Sequence, residues 1–543
     1  MRDTRSCTRR ERALALILAL LLALLPVPAM AGDLASDLGG GLAAATPDTT
    51  PEPTPVPIDM QTADAVIGYL GGKKPALNPV KCREWNLVSV NQLVFEPVVD
   101  LDENLKPTPM LANNWERKGK YWRFNLRSGI QFHNGFELTA HDVVESWKAL
   151  VAAGDKNPYY SRLQRIKAME ATDILTLDVQ AVDSSYLTLY AMNFPVMQYS
   201  TIGDDMARGT GPYWYIDVDD NGSTRLEVNP LWWKQQPALK SILLKRYSSA
   251  TAAVQALQTG GITMFSTKSP KTAYCRKLSN LTSLDYPTLT YEMLIPNGRK
   301  GLMKNLKARQ AVMYAINHAT LAANAYLDMA VSTEVPIPPS SWLYESQSAM
   351  YYYSPERALK LMNELGWRDM TGDGKLNKKS GVRLKEPSLS IWTYNESTNS
   401  IRENAARQIA SDLEAIGLNV TVTVKSQEKV RQAIKDGKCD LALIGVNLSE
   451  VPYINDLLKS GGRLNFSRYK SAKLDKVLAT VDSAGSESAI KKAYSRIQLH
   501  IVQNLPILGL LFRTGTVLST QPIGGITGQR CYDSFNGFEF IEN

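Results

Sequence analysis

"RSGIQFHNGFELTAHDVVESW", residues 127–147, places two histidines among aspartate and glutamate side chains within thirteen positions. Either these groups converge on a metal or a reacting atom, or they serve a turn and a helix start. The flanking residues favour the second reading. In "YWRFNLRSGIQFH", Trp122, Phe124 and Leu126 alternate with Arg123, Asn125 and Arg127. That period of two predicts a strand with one buried face, and places His133 at its end. Asn134-Gly135 is a turn signal, because both residues tolerate positive φ. Thr139 and Asp142 form the spacing of a capping box, after which Val143, Val144, Trp147 and Leu150 recur at helical spacing. His141 then falls in the first helical turn, with Asp142 favoured there by the helix dipole. His318 and His500 are far away in sequence. No metal centre is expected here.

The whole chain sets the frame. Its 543 residues predict two to four domains, and 44% hydrophobic residues suffice for several cores. The formal charge of +8 is spread along the chain without a basic block interleaved with aromatics, so no nucleic-acid partner is expected. Arg2, Arg5, Arg9, Arg10 and Arg12 precede the apolar run Ala13 to Leu25, and Ala29-Met30-Ala31 fits a small-x-small cleavage site. Residues 1–31 therefore predict a signal peptide and an exported chain, periplasmic or at the cell surface. Cleavage removes five basic and two acidic residues, which takes +8 to +5. No cysteine follows the run to carry a lipid. Residues 32–62, ending in "TPDTTPEPTPVPIDM", read as a Pro/Thr-rich linker. A tether makes sense where something upstream stays attached, so an uncleaved signal acting as a membrane anchor is the alternative. Cys82, Cys275, Cys439 and Cys531 allow two disulfides in three connectivities, or four buried thiols; their wide spacing argues against zinc.

Catalytic patterns are few. Gly-x-Ser-x-Gly, His-Glu-x-x-His and a Walker loop are all missing. Three Ser-x-x-Lys tetrads start at Ser426, Ser467 and Ser488, and Arg513-Thr514-Gly515 imitates the third element of a penicillin-binding protein. Only about forty-five residues separate Ser467 from Arg513, too few for that domain. "DMTGDGKLNKKS", residues 369–380, imitates a calcium loop with Asp369, Thr371 and Asp373 at ligand positions, but Ser380 stands where the bidentate carboxylate belongs. A polar hairpin turn is the plainer reading. No enzyme activity and no cofactor are expected.

The opening stretch closely resembles the signature of the family 5 extracellular solute-binding proteins, the peptide, nickel and oligosaccharide receptors of ABC importers. The resemblance continues in order through "LVFEPVVDLDENLKPTPMLANNWE" (93–116), "RGTGPYWYIDVD" (208–219), "KARQAVMYAINHATLAANAY" (307–326), "YSPERALKLMNELGW" (353–367), "RENAARQIASDLEAIGLNVTVTV" (402–424) and "RLNFSRYKSAKLDKVL" (463–478). It implies an α/β, two-lobed, type II periplasmic-binding-protein-like fold with mixed sheets, a hinge, and an extra domain inserted in the first lobe. By analogy the first lobe is 63–97, 211–297 and 512–543, the inserted domain 98–210, and the second lobe 298–511. The implied function is capture of a solute by lobe closure and delivery to membrane permease subunits, by a monomer. A tethered sensor or interaction protein on the same fold is the alternative.

The family's anchors for peptide termini are altered. After "CDLALIG" the family's Trp is replaced by Val446, and the amino-anchoring Asp falls at Ser449, or at Glu450 with a one-residue shift. The Arg that follows a Trp in dipeptide-binding relatives falls at Thr398, with Arg402 one helical turn on. Trp392, Tyr394 and Asn395 are candidate cleft residues, as are Tyr291 and Asn297 near the crossover. With both anchors altered, an oligopeptide held by main-chain hydrogen bonds is expected before a dipeptide, and an oligosaccharide is the alternative.

Overall fold

The computed structural model describes residues 63–396 and 399–521. The signal, the linker, Thr398 and Cys531 lie outside them. The alternation read at Trp122, Phe124 and Leu126 is the strand Tyr121–Leu126, whose three apolar side chains are buried. It joins Ala112–Lys118, Thr176–Ala181 and Ile166–Asp173 in a wholly antiparallel four-stranded sheet. The helix Ala140–Ala152 packs on that sheet, starting after Thr139 as its capping spacing predicts. Asp142 Oδ2 accepts from the Thr139 N–H (2.9 Å) and hydroxyl (2.6 Å), and Oδ1 accepts from the Tyr199 N–H (2.9 Å).

His133 differs from its expected place at a strand end. The strand stops at Leu126, because residues 127–138 fold back as a loop closed by Phe132 N–H to Phe136 O and Gly135 N–H to Phe132 O. His133 faces inward there and binds backbone. Its Nδ1 accepts from the Gly209 N–H (3.2 Å) and its Nε2 lies 3.3 Å from Gly211 O, which fixes the neutral Nε2–H tautomer. Burial holds its pKa down at about 3. His141 stacks edge-on against Tyr199, 4.9 Å between centroids.

The loop that His133 holds, Gly209 to Pro212, lies against the Val94 backbone. A Cβ on Gly209 would sit 2.0 Å from Val94 O, and one on Gly211 2.7 Å from Val94 C. Beside it, the buried Glu96 carboxylate accepts from Thr210 Oγ1 (2.8 Å), Trp232 Nε1 (3.1 Å) and Trp233 Nε1 (2.9 Å). The Gly-Thr-Gly-Pro segment and the Trp232-Trp233 pair thus share one anchor.

The main sheet holds eleven strands and is mixed. From one edge it runs Asn419–Val424, Ser388–Thr393, Leu441–Asn447, Thr282–Pro296, Leu508–Ser519, Met264–Thr267, Ala65–Leu70, Ser241–Tyr247, Thr224–Val228 and Tyr213–Val218, with Ala330–Ser332 added on Leu508–Ser519. Two long antiparallel strands run through its middle. Residues 282–287 pair with 514–519, and 291–294 pair with 508–512, with the register shifting between Pro287 and Tyr291. On one side of that shift the partner is Met264–Thr267; on the other it is Leu441–Asn447, paired with 290–296. These two strands form the middle of the sheet, with three strands on one flank and five on the other.

Cys82, Cys275 and Cys439 are buried free thiols rather than bonded pairs. Burial raises the first and last to about 11, so they stay protonated and inert. Among the described residues no helix is long and apolar enough to cross a membrane.

The backbone contact at Gly209 gives a direct test. Gly209→Ala should lower unfolding free energy in urea by about 2 kcal/mol or more through overpacking against a carbonyl. Gly203→Ala, where a Cβ meets nothing within 4 Å, should change it by less than about 0.5 kcal/mol.

Candidate functional site

Two clusters lie where the long strands cross. The first is ionic. Glu292, on Thr282–Pro296, is completely buried. Arg402, near the start of the helix Ile401–Glu414, meets it through Nε (2.9 Å) and Nη2 (3.0 Å). Arg513, on Leu508–Ser519, meets it through Nη2 at 2.6 Å. Glu396 closes the square, 2.7 Å from Arg402 Nη2 and 3.2 Å from Arg513 Nη1. The formal charges sum to zero. Tyr394 and Tyr326 cover the two guanidiniums, at 4.5 and 5.7 Å. Among the described residues, Arg402 Nη1, Arg513 Nε and the Tyr326 hydroxyl are buried without a hydrogen-bond partner.

The second cluster spans residues far apart in sequence. Arg162 pairs with Glu450 in a fully buried ion pair. Arg162 Nη1 also donates to Asn193 O (2.5 Å) and Oδ1 (2.8 Å), and the guanidinium lies 5.5 Å from the Tyr159 ring. Glu450 and Ser449 line a cavity of about 30 Å³ together with Leu105, Tyr190, Leu289 and Ser341. Leu289 belongs to the strand crossing, while Leu105 and Tyr190 come from the 98–210 segment. A cavity of that size has room for a water or two and not for a peptide. Around it the same two sides are latched by Trp342 Nε1 to Tyr190 Oη (2.8 Å), Trp342 N–H to Asn104 O (2.9 Å), and Lys106 to Glu487 (2.8 Å).

The candidate residues fall in different places. Ser449 and Glu450 reach the cavity, but Glu450 is engaged by Arg162. Tyr394 is buried under Arg402, with its hydroxyl 3.3 Å from Gly445 O. Trp392 is half-buried against the core, and Asn395 is exposed, donating to Glu403 (2.8 Å). Tyr291 is completely buried against Phe512, 4.9 Å between centroids. Asn297 donates to Gly437 O (3.3 Å) and Cys439 O (3.1 Å), closing a backbone turn. The structure therefore brings Ser449 and Glu450 together, and Tyr394 to the ionic square, but places Tyr291 and Asn297 in structural roles.

Arg162, Glu292 and Arg513 were not among the sequence candidates for ligand binding. A signal was present: Glu292 in "YEMLIP" and Arg513 in "LGLLFRTGTVL" are lone charges in apolar strands, which exist only when paired. Two of the Ser-x-x-Lys serines and Arg513 have structural partners. Ser426 caps the helix Gln427–Asp436, the Ser467 hydroxyl donates to Asn465 Oδ1 (3.0 Å), and Arg513 belongs to the square. In the 369–380 loop, Asp369 accepts from the Gly372 and Gly374 N–H groups (2.7 and 2.9 Å), and Asp373 from the Lys375 N–H (3.0 Å). The carboxylates serve the turn.

Removing Glu292 leaves two buried cations facing each other. Glu292→Ala should cost about 3–5 kcal/mol in a urea titration. The square also sets an acid response. Burial pushes the Glu396 carboxyl up, but Arg513, Asn399 and Arg402 outweigh it and take it from 4.5 to about 2. A depressed carboxylate stabilises the fold above its ordinary pKa and loses that contribution as pH falls through the folded one. Thermal stability should therefore drop between pH 4.5 and 2, and Glu396→Gln should remove that part of the drop.

The chain is similar to known proteins over most of its length. The family model described as bacterial extracellular solute-binding proteins, family 5 middle, matches residues 106–461. The chain is 23% identical over 501 residues to the oligopeptide-binding protein AppA of Bacillus subtilis (strain 168), covering 88% of this chain and 91% of that one. It is also 23% identical over 521 residues to heme-binding protein A of Haemophilus influenzae, with 88% and 91% covered. A crystal structure titled as a nickel ABC transporter from Bacillus halodurans superposes with a TM-score of 0.74 at 17% identity, covering 88% of this chain and 98% of that one.

Proposed function

This chain belongs to the family 5 bacterial extracellular solute-binding proteins, and we propose that it captures a peptide, of oligopeptide length, by hinge closure and delivers it to the permease subunits of an ABC importer. The observation that carries the proposal is the position of the small cavity. One wall is Leu105 and Tyr190, the other is Leu448 to Ile454, and Leu289 of the strand crossing forms part of its lining. Rotation about that crossing moves one wall from the other and changes the volume between them. The closed cavity is too small for a peptide, so uptake proceeds through an opened form whose latches are the Trp342–Tyr190, Lys106–Glu487 and Arg162–Glu450 contacts.

Glu450 alone makes a poor amino anchor here. An incoming ammonium would have to displace a guanidinium that also binds Asn193. We therefore assign most of the hold to main-chain hydrogen bonds, which suits a longer peptide of variable sequence. The work is extracytoplasmic binding, without bond making. The oligopeptide-binding relative supports the ligand class; the heme-binding one keeps other solutes in the test.

The test is thermal stability of the purified chain against random peptide mixtures, oligosaccharides, and nickel or haem chelates. Peptides should raise Tm, by the equivalent of about 2.7 kcal/mol at a hundred times Kd. A rise with sugars or chelates alone overturns the peptide assignment, and no rise with any of them overturns solute capture. The double variant Arg162→Met/Glu450→Leu replaces the ion pair by apolar groups at little cost in stability. It should keep peptide binding within about threefold; abolition would show that Glu450 is the amino anchor after all.

A further inference from the structure

The segment that imitates a calcium loop leads into an exposed hairpin. Lys378–Ser380 and Arg383–Lys385 form an isolated two-stranded hairpin that joins neither large sheet. All six strand residues are exposed. Gly381, with φ of 65°, supplies the positive φ that a two-residue hairpin turn needs at its first position. The other turn residue is Val382, which is 103% exposed. Leu384, 46% exposed, follows it.

Three of the four cations on this hairpin lie on one face, and Lys379 lies on the other with Leu384. Lys378 lies directly opposite Lys385, and Ser380 opposite Arg383, so three cations share one face. Like charges facing across a strand pair are destabilising. Lys378 is partly occupied, donating to Leu365 O at 3.0 Å. Lys379, Arg383 and Lys385 make no ion pair among the described residues. The nearby carboxylates of Asp369 and Asp373 are turned to their own loop's N–H groups and do not compensate them. The result is an apolar apex on a cationic stem.

We propose that this hairpin docks the protein on an anionic lipid bilayer. The surface fits that occupant by charge and by depth: cations beside the phosphates, and Val382 reaching the acyl boundary. An acidic protein would match the cations but gives no reason for a fully exposed valine at the apex. Each unpaired cation contributes about fivefold to partitioning near an anionic surface. Three of them, with the apex, give weak and reversible docking that holds the receptor beside a membrane while both halves stay free to move. The inference does not depend on which solute is bound.

The experiment is co-sedimentation of the full chain with vesicles of phosphatidylcholine alone and with 30% phosphatidylglycerol. The measured quantity is the increment caused by the anionic lipid. Lys379→Gln/Arg383→Gln/Lys385→Gln should lower that increment about a hundredfold, and Val382→Asp about tenfold, with unchanged circular dichroism melts. A control removes the same net charge elsewhere: Lys491, Lys492 and Arg496 are exposed on the helix Glu487–Asn504, and their change to Gln should leave the increment within twofold. An equal loss in control and hairpin variants overturns the proposal, because net charge then explains binding. So does sedimentation unchanged by the hairpin substitutions, which would leave the cations to an acidic protein or to guarding a strand edge.

Discussion

A carboxylate completely removed from water can stay ionised only if opposite charge is brought to it. Glu292 is such a group, and its two guanidiniums come from a helix and from the neighbouring long strand. Satisfying it fixes three elements at one point. Arg402 ties the start of Ile401–Glu414 to the sheet, and Arg513 ties the two long strands to each other just where their register shifts. Gly445 shows how little slack remains: a Cβ there would fall 2.5 Å from Arg402 Nη2 and 2.7 Å from Glu292 Oε1. The cluster costs desolvation and is weak evidence of net stability. What it provides is position, at the place where the halves of the molecule join.

Local chemistry was legible in the sequence because its causes are local. The strand through Trp122, Phe124 and Leu126 follows from a period of two. The helix start at Thr139 follows from a side chain three residues on. Ser354-Pro355 and Gly366 bracket the helix Pro355–Glu364 as written, with Ser354 capping it and Gly366 at φ 81°. The two glycines of the 209–211 loop permit a tight backbone, but Val94, the backbone they approach, is more than a hundred positions away.

The site was less legible, and the reason is sequence distance. Arg162 and Glu450 are 288 positions apart, and Arg402 and Glu292 are 110 apart. No periodicity reports such pairs. Tyr291 and Asn297 are candidates for their place near the crossover, where Tyr291 packs in the core and Asn297 closes a backbone turn. Whether a strand side chain faces a cleft or a core depends on what packs over it, and Phe512 packs over Tyr291. His133 was misplaced by a few residues because the strand's apolar alternation continues through Ile130 and Phe132, which are buried in a loop instead.

Among the described residues, 282–296 and 508–519 lie hydrogen-bonded side by side in the middle of the main sheet. Mechanically this is a lever with a double pin. Two adjacent antiparallel strands resist sliding, since sliding breaks their ladder, but they bend together where the ladder is already interrupted at 287–291. A small torsion there is multiplied by distance at the rim, where Trp342 meets Tyr190 and Lys106 meets Glu487. Beside them, Ser184 N–H bonds Asp482 O, Tyr186 N–H bonds Ala484 O and the Tyr186 ring packs on Trp342, whereas the pin is held by buried charge. Such a device converts a modest binding energy into a large change of surface, without either half having to repack.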